Sequence, residues 1–166
     1  GDAGRLLTDT EHNVYFTADD PGLPAGDPRR TRVRSAKGGL AYDQIPSGSP
    51  LRVAYESDEL TAFVAAALGG GNLYRHADEL GALNVMYYAE AGGHGWHFDG
   101  ADAVVTLMLQ PPLGGGRFEY VPMLRSAGNE NREGVRRLLQ GDRSGIRSMS
   151  GAAGTLALFR GHDSPH

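Results

Sequence analysis

The chain has 166 residues, of which 40% are apolar, 25 are glycine and none is cysteine. That length favours one domain able to bury roughly two-thirds of its unfolded surface, and the missing thiols exclude a disulfide framework, a thiolate zinc site and cysteine catalysis, in keeping with a reducing, cytoplasmic setting. A net charge of -4 disfavours a nucleic-acid partner, and no apolar run approaches the roughly 20 residues of a membrane span, while the opening GDAGRLLTDT does not read as a signal peptide.

Residues 1–50 are rich in Gly, Pro, Asp and Arg, and read as loops and short elements draped over a core. The arginines at positions 29, 30, 32 and 34, like Arg136-Arg137, read as solvated faces because no aromatics are interleaved with them. A helix is expected over 57–69. Ser57 is its N-cap, Asp58 and Glu59 suit the first turn, and Gly69-Gly70-Gly71 ends it. Leu60, Phe63, Val64, Ala67 and Leu68 form an apolar stripe that should lie against something flat.

From Leu83 the texture changes to short strands: 83–88, 104–109, 117–121 and 155–159, separated by Ala91-Gly92-Gly93 and by the turn from Pro111 to Gly116. Between them, 123–150 reads as an exposed polar insertion, with a short helix around Val135, Leu138 and Leu139 closed by Gly141. The pattern favours a mainly β sandwich or jelly roll over 83–166, with helices outside. The glycines at 114–116 lack the Lys-Ser/Thr of a phosphate loop and read as a strand turn.

The chemistry concentrates in Gly95-Trp96-His97-Phe98-Asp99. On an extended segment the period of two puts His97 and Asp99 on one face. An imidazole and a carboxylate need one further ligand to make the 2-His-1-carboxylate triad, which leaves positions open for oxygen and a chelating cosubstrate on Fe(II). Two late histidines are available, His162 and His166. Trp96 reads as packing beside the site, and Asp102 as a loop carboxylate.

Four motifs in order, Gly95-Trp96-His97-Phe98-Asp99, Leu107-Met108-Leu109-Gln110, the run from Gly115 to Pro122 and the run from Gly154 to Gly161, make the chain resemble the iron(II)- and 2-oxoglutarate-dependent oxygenases over residues 73–166. Their wording is similar to the branch of free amino-acid hydroxylases and halogenases that includes the lysine halogenase group. The resemblance implies a double-stranded β-helix, a cupin-like jelly roll. It also implies Fe(II) with 2-oxoglutarate and O2 as cosubstrates, and a small-molecule substrate, most naturally a free amino acid, with basic ones the first candidates. The family ending G-x-x-S-x-H maps onto 161–166 and makes His166 the distal ligand, with His162 as runner-up. In the halogenases a small residue replaces the carboxylate; Asp99 is present here, so hydroxylation is implied. In the family, further strands and a 2-oxoglutarate-binding Arg follow the distal His, so the 166 residues are expected to be part of a longer chain and the cosubstrate anchor to lie beyond residue 166.

For substrate contacts the candidates are His94, three residues before His97, together with Glu79 (beside Asp78) and Glu119, each able to meet an ammonium. Glu119 alternates with Phe118 and Tyr120, so either the acid or the aromatics face inward, and an inward acid needs a partner. Arg75 and His76 fit two readings equally, service to the cosubstrate or a surface pair with Asp78. Two rivals stand against an oxygenase. One is a cupin-like metal-binding barrel with a different activity or a binding role, although no third nearby His supports it. The other is a zinc hydrolase, for which no general base can be nominated.

Overall fold

The computed structural model describes residues 6–166. Residues 1–5, the start of the segment read as loops, lie outside the described residues. Eleven elements follow in order: β1 (Leu6–His12), β2 (Val33–Leu40), α1 (Pro50–Glu56), α2 (Asp58–Ala67), α3 (Glu79–Ala82), β3 (Val85–Tyr87), β4 (Val104–Leu107), β5 (Phe118–Tyr120), α4 (Arg132–Leu139), β6 (Arg147–Met149) and β7 (Leu156–Phe159), with single 3-10 turns at Pro28–Arg30 and Tyr42–Gln44. The strands form three small sheets, ordered β1-β2-β3, β4-β7 and β5-β6, and among the described residues none closes into a barrel. No described helix is long and apolar enough to cross a membrane. The chain divides into two compact units: Ala36–Gly92 with the chain up to Asp9, and Thr10–Ser35 with Gly93–His166.

In the first unit β2 pairs antiparallel with β3, Gly38 opposite Tyr87 and Leu40 opposite Val85. The Tyr87 ring covers Gly38 so closely that a Cβ there has no room. β1 and β2 correct the reading of 1–50 as loops and short elements. Polar side chains and paired glycines lower strand propensity, and here the glycine is what admits the neighbouring ring. α2 starts where the caps predict, the Ser57 hydroxyl accepting the Leu60 N–H at 3.1 Å. It ends in three glycines of positive φ. Its apolar stripe is another correction: only Val64 is buried, while Phe63 is 56% exposed and Leu68 36%.

The second unit holds the main core, in which Val14, Phe98 and Val135 are buried and packed by Tyr15, Trp96, Leu124 and Leu139. β4 runs antiparallel to β7 from Val104 opposite Phe159 to Leu107 opposite Leu156. β5 pairs with β6, Phe118 opposite Met149. The segment 123–150 is therefore no mere exposed insertion: β6 completes a sheet, and α4 buries Val135 and Leu138. Asn131 starts that helix by accepting the Gly134 N–H, and donates its side-chain amide to the Leu124 carbonyl at 2.8 Å. Gly141, at φ 96°, closes it as expected.

Candidate metal centre

Backbone pairing sets the site. The His97 N–H donates to the His166 carbonyl and the His166 N–H to the His97 carbonyl, both at 3.1 Å, so these residues oppose one another as in an antiparallel ladder. His97 lies as far before β4 as His166 lies after β7. Between them the Asp99 N–H donates to the Gly161 carbonyl, while the Phe98 N–H donates to Val14. Phe98 thus points to the core, 3% exposed, and His97 and Asp99 share the opposite side, as the period of two requires.

One ligand atom from each of His97, Asp99 and His166 lies within 4.8 Å of the others. Asp99 Oδ1 is 3.6 Å from His97 Nε2, and its Oδ2 is 3.4 Å from His166 Nε2. Each imidazole is held from behind: His97 Nδ1 lies 2.9 Å from the Gly95 carbonyl and His166 Nδ1 3.1 Å from the Ser164 carbonyl. A carbonyl only accepts, so each Nδ1 carries a hydrogen, and each ring turns its Nε2 toward Asp99. Two Nε2 atoms this close to one carboxylate call for a proton or a cation among them, and anchoring Nδ1 on a carbonyl is how metal-binding histidines are oriented. Gly161 completes the cradle, because a Cβ there would strike the Asp99 carboxylate.

Aromatic rings wall the centre on both sides. Phe16 lies 5.4 Å from His97 between ring centroids, and Phe159 and Phe118 lie 4.8 and 5.4 Å from His166. Of the substrate candidates, His94 comes to the site, stacked on His97 at 3.8 Å. Glu119 does not: Phe118 takes the face toward His166, and the alternating carboxylate pairs with Arg143. Glu79 sits exposed in the first turn of α3, in the other unit. His162 is 42% exposed and bonded to Asp163, and Asp102 is exposed. Arg75 pairs with Asp58 and not with Asp78. Trp96 packs on the core, as read.

Sequence reasoning missed two residues. His12, 9% exposed, stands edge-on to His97 at 6.4 Å, on a strand that polar composition hid. Arg125, also 9% exposed, lays its guanidinium 4.0 Å over the Phe98 ring, donates to the His162 carbonyl and pairs with Glu130 at 3.1 Å, fixing the turn before His166. No local pattern distinguishes it from the solvated arginines around it. Behind the site Tyr15 stacks on Phe98, and burial, helped by the charge of Glu130, pushes its phenol pKa up. No family model, curated protein or solved structure matches this chain.

Proposed function

We propose that the chain is an Fe(II)- and 2-oxoglutarate-dependent dioxygenase of the double-stranded β-helix class, hydroxylating an unactivated C–H bond of a small molecule, most simply a free amino acid. The observation that carries this reading is the donor set: two imidazoles, each anchored through Nδ1, and one carboxylate, converging within 4.8 Å. Such a set suits a divalent iron that keeps open positions. When bound, that iron with 2-oxoglutarate supplies the oxygen activation needed to break the C–H bond.

The chain's own residues orient and shield. His97, Asp99 and His166 would hold the metal. The Gly95 and Ser164 carbonyls fix the two rings. Phe118 and Phe159 set apolar rings against His166, and Phe16 sets one against His97. Asp99 holds the position that a halide would need, which favours hydroxylation. The position of His94 against His97 makes it the residue best placed to meet a polar group of the substrate. In the jelly-roll reading, the β4–β7 pair and its continuation to His97 and His166 form the ligand-bearing part of the barrel.

Fe(II)-dependent succinate release, screened over free amino acids beginning with basic ones, tests this. At least one substrate should raise succinate above the uncoupled background, and His97→Ala and Asp99→Ala should each abolish it. Undiminished turnover in either variant contradicts the ligand assignment. A blank across the panel contradicts a free amino-acid substrate.

A further inference from the structure

The second unit holds a polar chain that the proposed ligands do not use. His12 Nδ1 lies 2.9 Å from the Asn13 carbonyl, so it carries a hydrogen. The other ring nitrogen, Nε2, is hydrogen-bonded to the Ser35 hydroxyl at 2.6 Å. The Ser35 oxygen in turn accepts the Gly95 N–H at 3.0 Å. The carbonyl of the same Gly95 accepts from Nδ1 of His97. Ser35 is 2% exposed and His12 9%, and the polar side-chain atoms of both are hydrogen-bonded.

We infer that His12 and Ser35 are positioning residues of the metal centre, a brace that grips the Gly95 peptide and so sets the direction of the His97 ring. The inference rests on the reading of His97, Asp99 and His166 as a metal site. Gly95 is suited to this task, because a Cβ there would lie 2.8 Å from the Arg34 carbonyl and from Val33 Cβ. Residues 33–35 are thus pressed directly on the peptide that they hold. The His166 side has a parallel: the Ser164 hydroxyl accepts the Met123 N–H at 3.0 Å, and the Ser164 carbonyl anchors His166. In both cases a serine oxygen and an i-2 carbonyl immobilise one ligand. Ring contacts alone do not explain His12. Its stacking on Phe16, at 4.2 Å, would be served equally by a phenyl ring.

The test is Co(II) titration of the full chain, read by visible absorption of the bound metal and by competition with a chelator. Removing groups that orient metal ligands lowers affinity by about 10- to 100-fold. With one more bond in the relay, Ser35→Ala and His12→Phe should each weaken Co(II) binding by about tenfold and change the absorption envelope, and the double variant should be no worse than either. Ser35→Thr, which keeps the hydroxyl, should restore affinity that the near-isosteric Ser35→Val does not. Equal affinity and spectrum for the Thr and Val variants would overturn the inference. So would a Val variant that fails to fold where Thr folds, since the hydroxyl would then be purely structural. If the unaltered chain binds no Co(II), both the brace and the proposed function fall. If Co(II) binds and the variants behave as stated but no 2-oxoglutarate dependence is found, only the oxygenase reading falls.

Discussion

The two compact units differ in the polar groups they bury. Ala36–Gly92 carries the most regular apolar pattern in the chain, yet Phe63, Leu73, Tyr74 and Leu80 stand exposed. In the unit of Thr10–Ser35 and Gly93–His166 the buried set includes His12, Asn13, Ser35, His97, Arg125 and Ser164. Periodicity states which face of a helix would be covered, but not whether anything covers it. Buried polar groups are costly unless hydrogen-bonded. Where many are buried together with partners, the structure maintains them at a cost, and that is where the candidate chemistry lies.

The largest contrast should appear in core truncation. Leu138→Ala, within the buried face of α4, should cost about 2–5 kcal/mol in urea unfolding, whereas Phe63→Ala in α2 should stay within about 0.5 kcal/mol. Equal losses would mean that the exposed stripe is covered in solution. Arginines give the next test. Arg125→Ala removes hydrogen bonds from a buried guanidinium to the His162 carbonyl and to Glu130 and should cost about 2–3 kcal/mol. Arg75→Ala, which loses an exposed pair with Asp58, should cost less than about 1 kcal/mol.

Gly161→Ala probes the site itself. Its Cβ meets the Asp99 carboxylate, and overpacking of about 1–3 kcal/mol should appear as roughly a tenfold loss of Co(II) affinity. Unchanged affinity would show that Asp99 is not held in the cradle.

The smallest effect concerns Asp27. Its carboxylate, 8% exposed, accepts two side-chain bonds from Arg29, and these hold its pKa at about 2, below the usual carboxylate range. The folded pKa is depressed, so the stabilisation is present above pH about 4 and is lost as pH falls toward 2. Asp27→Asn should flatten that part of the stability profile and cost on the order of 1 kcal/mol at neutral pH. A profile identical to that of the unaltered chain would contradict it.

Much of the site was legible because its grammar is local. H-x-D has the period of a strand, and the late histidine lies within a short motif, so both could be named without knowing which chain segments pair. The helix caps of α2 and α4, and the strands β4, β5 and β7, likewise follow from neighbouring residues. What was hidden depends on distant partners. β2 is a strand because Tyr87 lies over Gly38 and Val85 to Tyr87 pair with it. β6 is a strand because Phe118 to Tyr120 pair with it. Ser35 reaches the site through Gly95, 60 residues further along the chain, and His12 through Ser35. Glu119 was ambiguous for the same reason: alternation gives two faces, and Phe118 against His166 decides between them.

The most direct measurement is anaerobic addition of Fe(II) and 2-oxoglutarate to the folded chain, followed by visible absorption. The donor set of His97, Asp99 and His166 predicts the metal-to-ligand charge-transfer band of an iron-bound 2-oxoglutarate chelate, absent in His97→Ala and in His166→Ala. No band in a folded, Fe(II)-binding chain would contradict the assignment as a 2-oxoglutarate-dependent oxygenase.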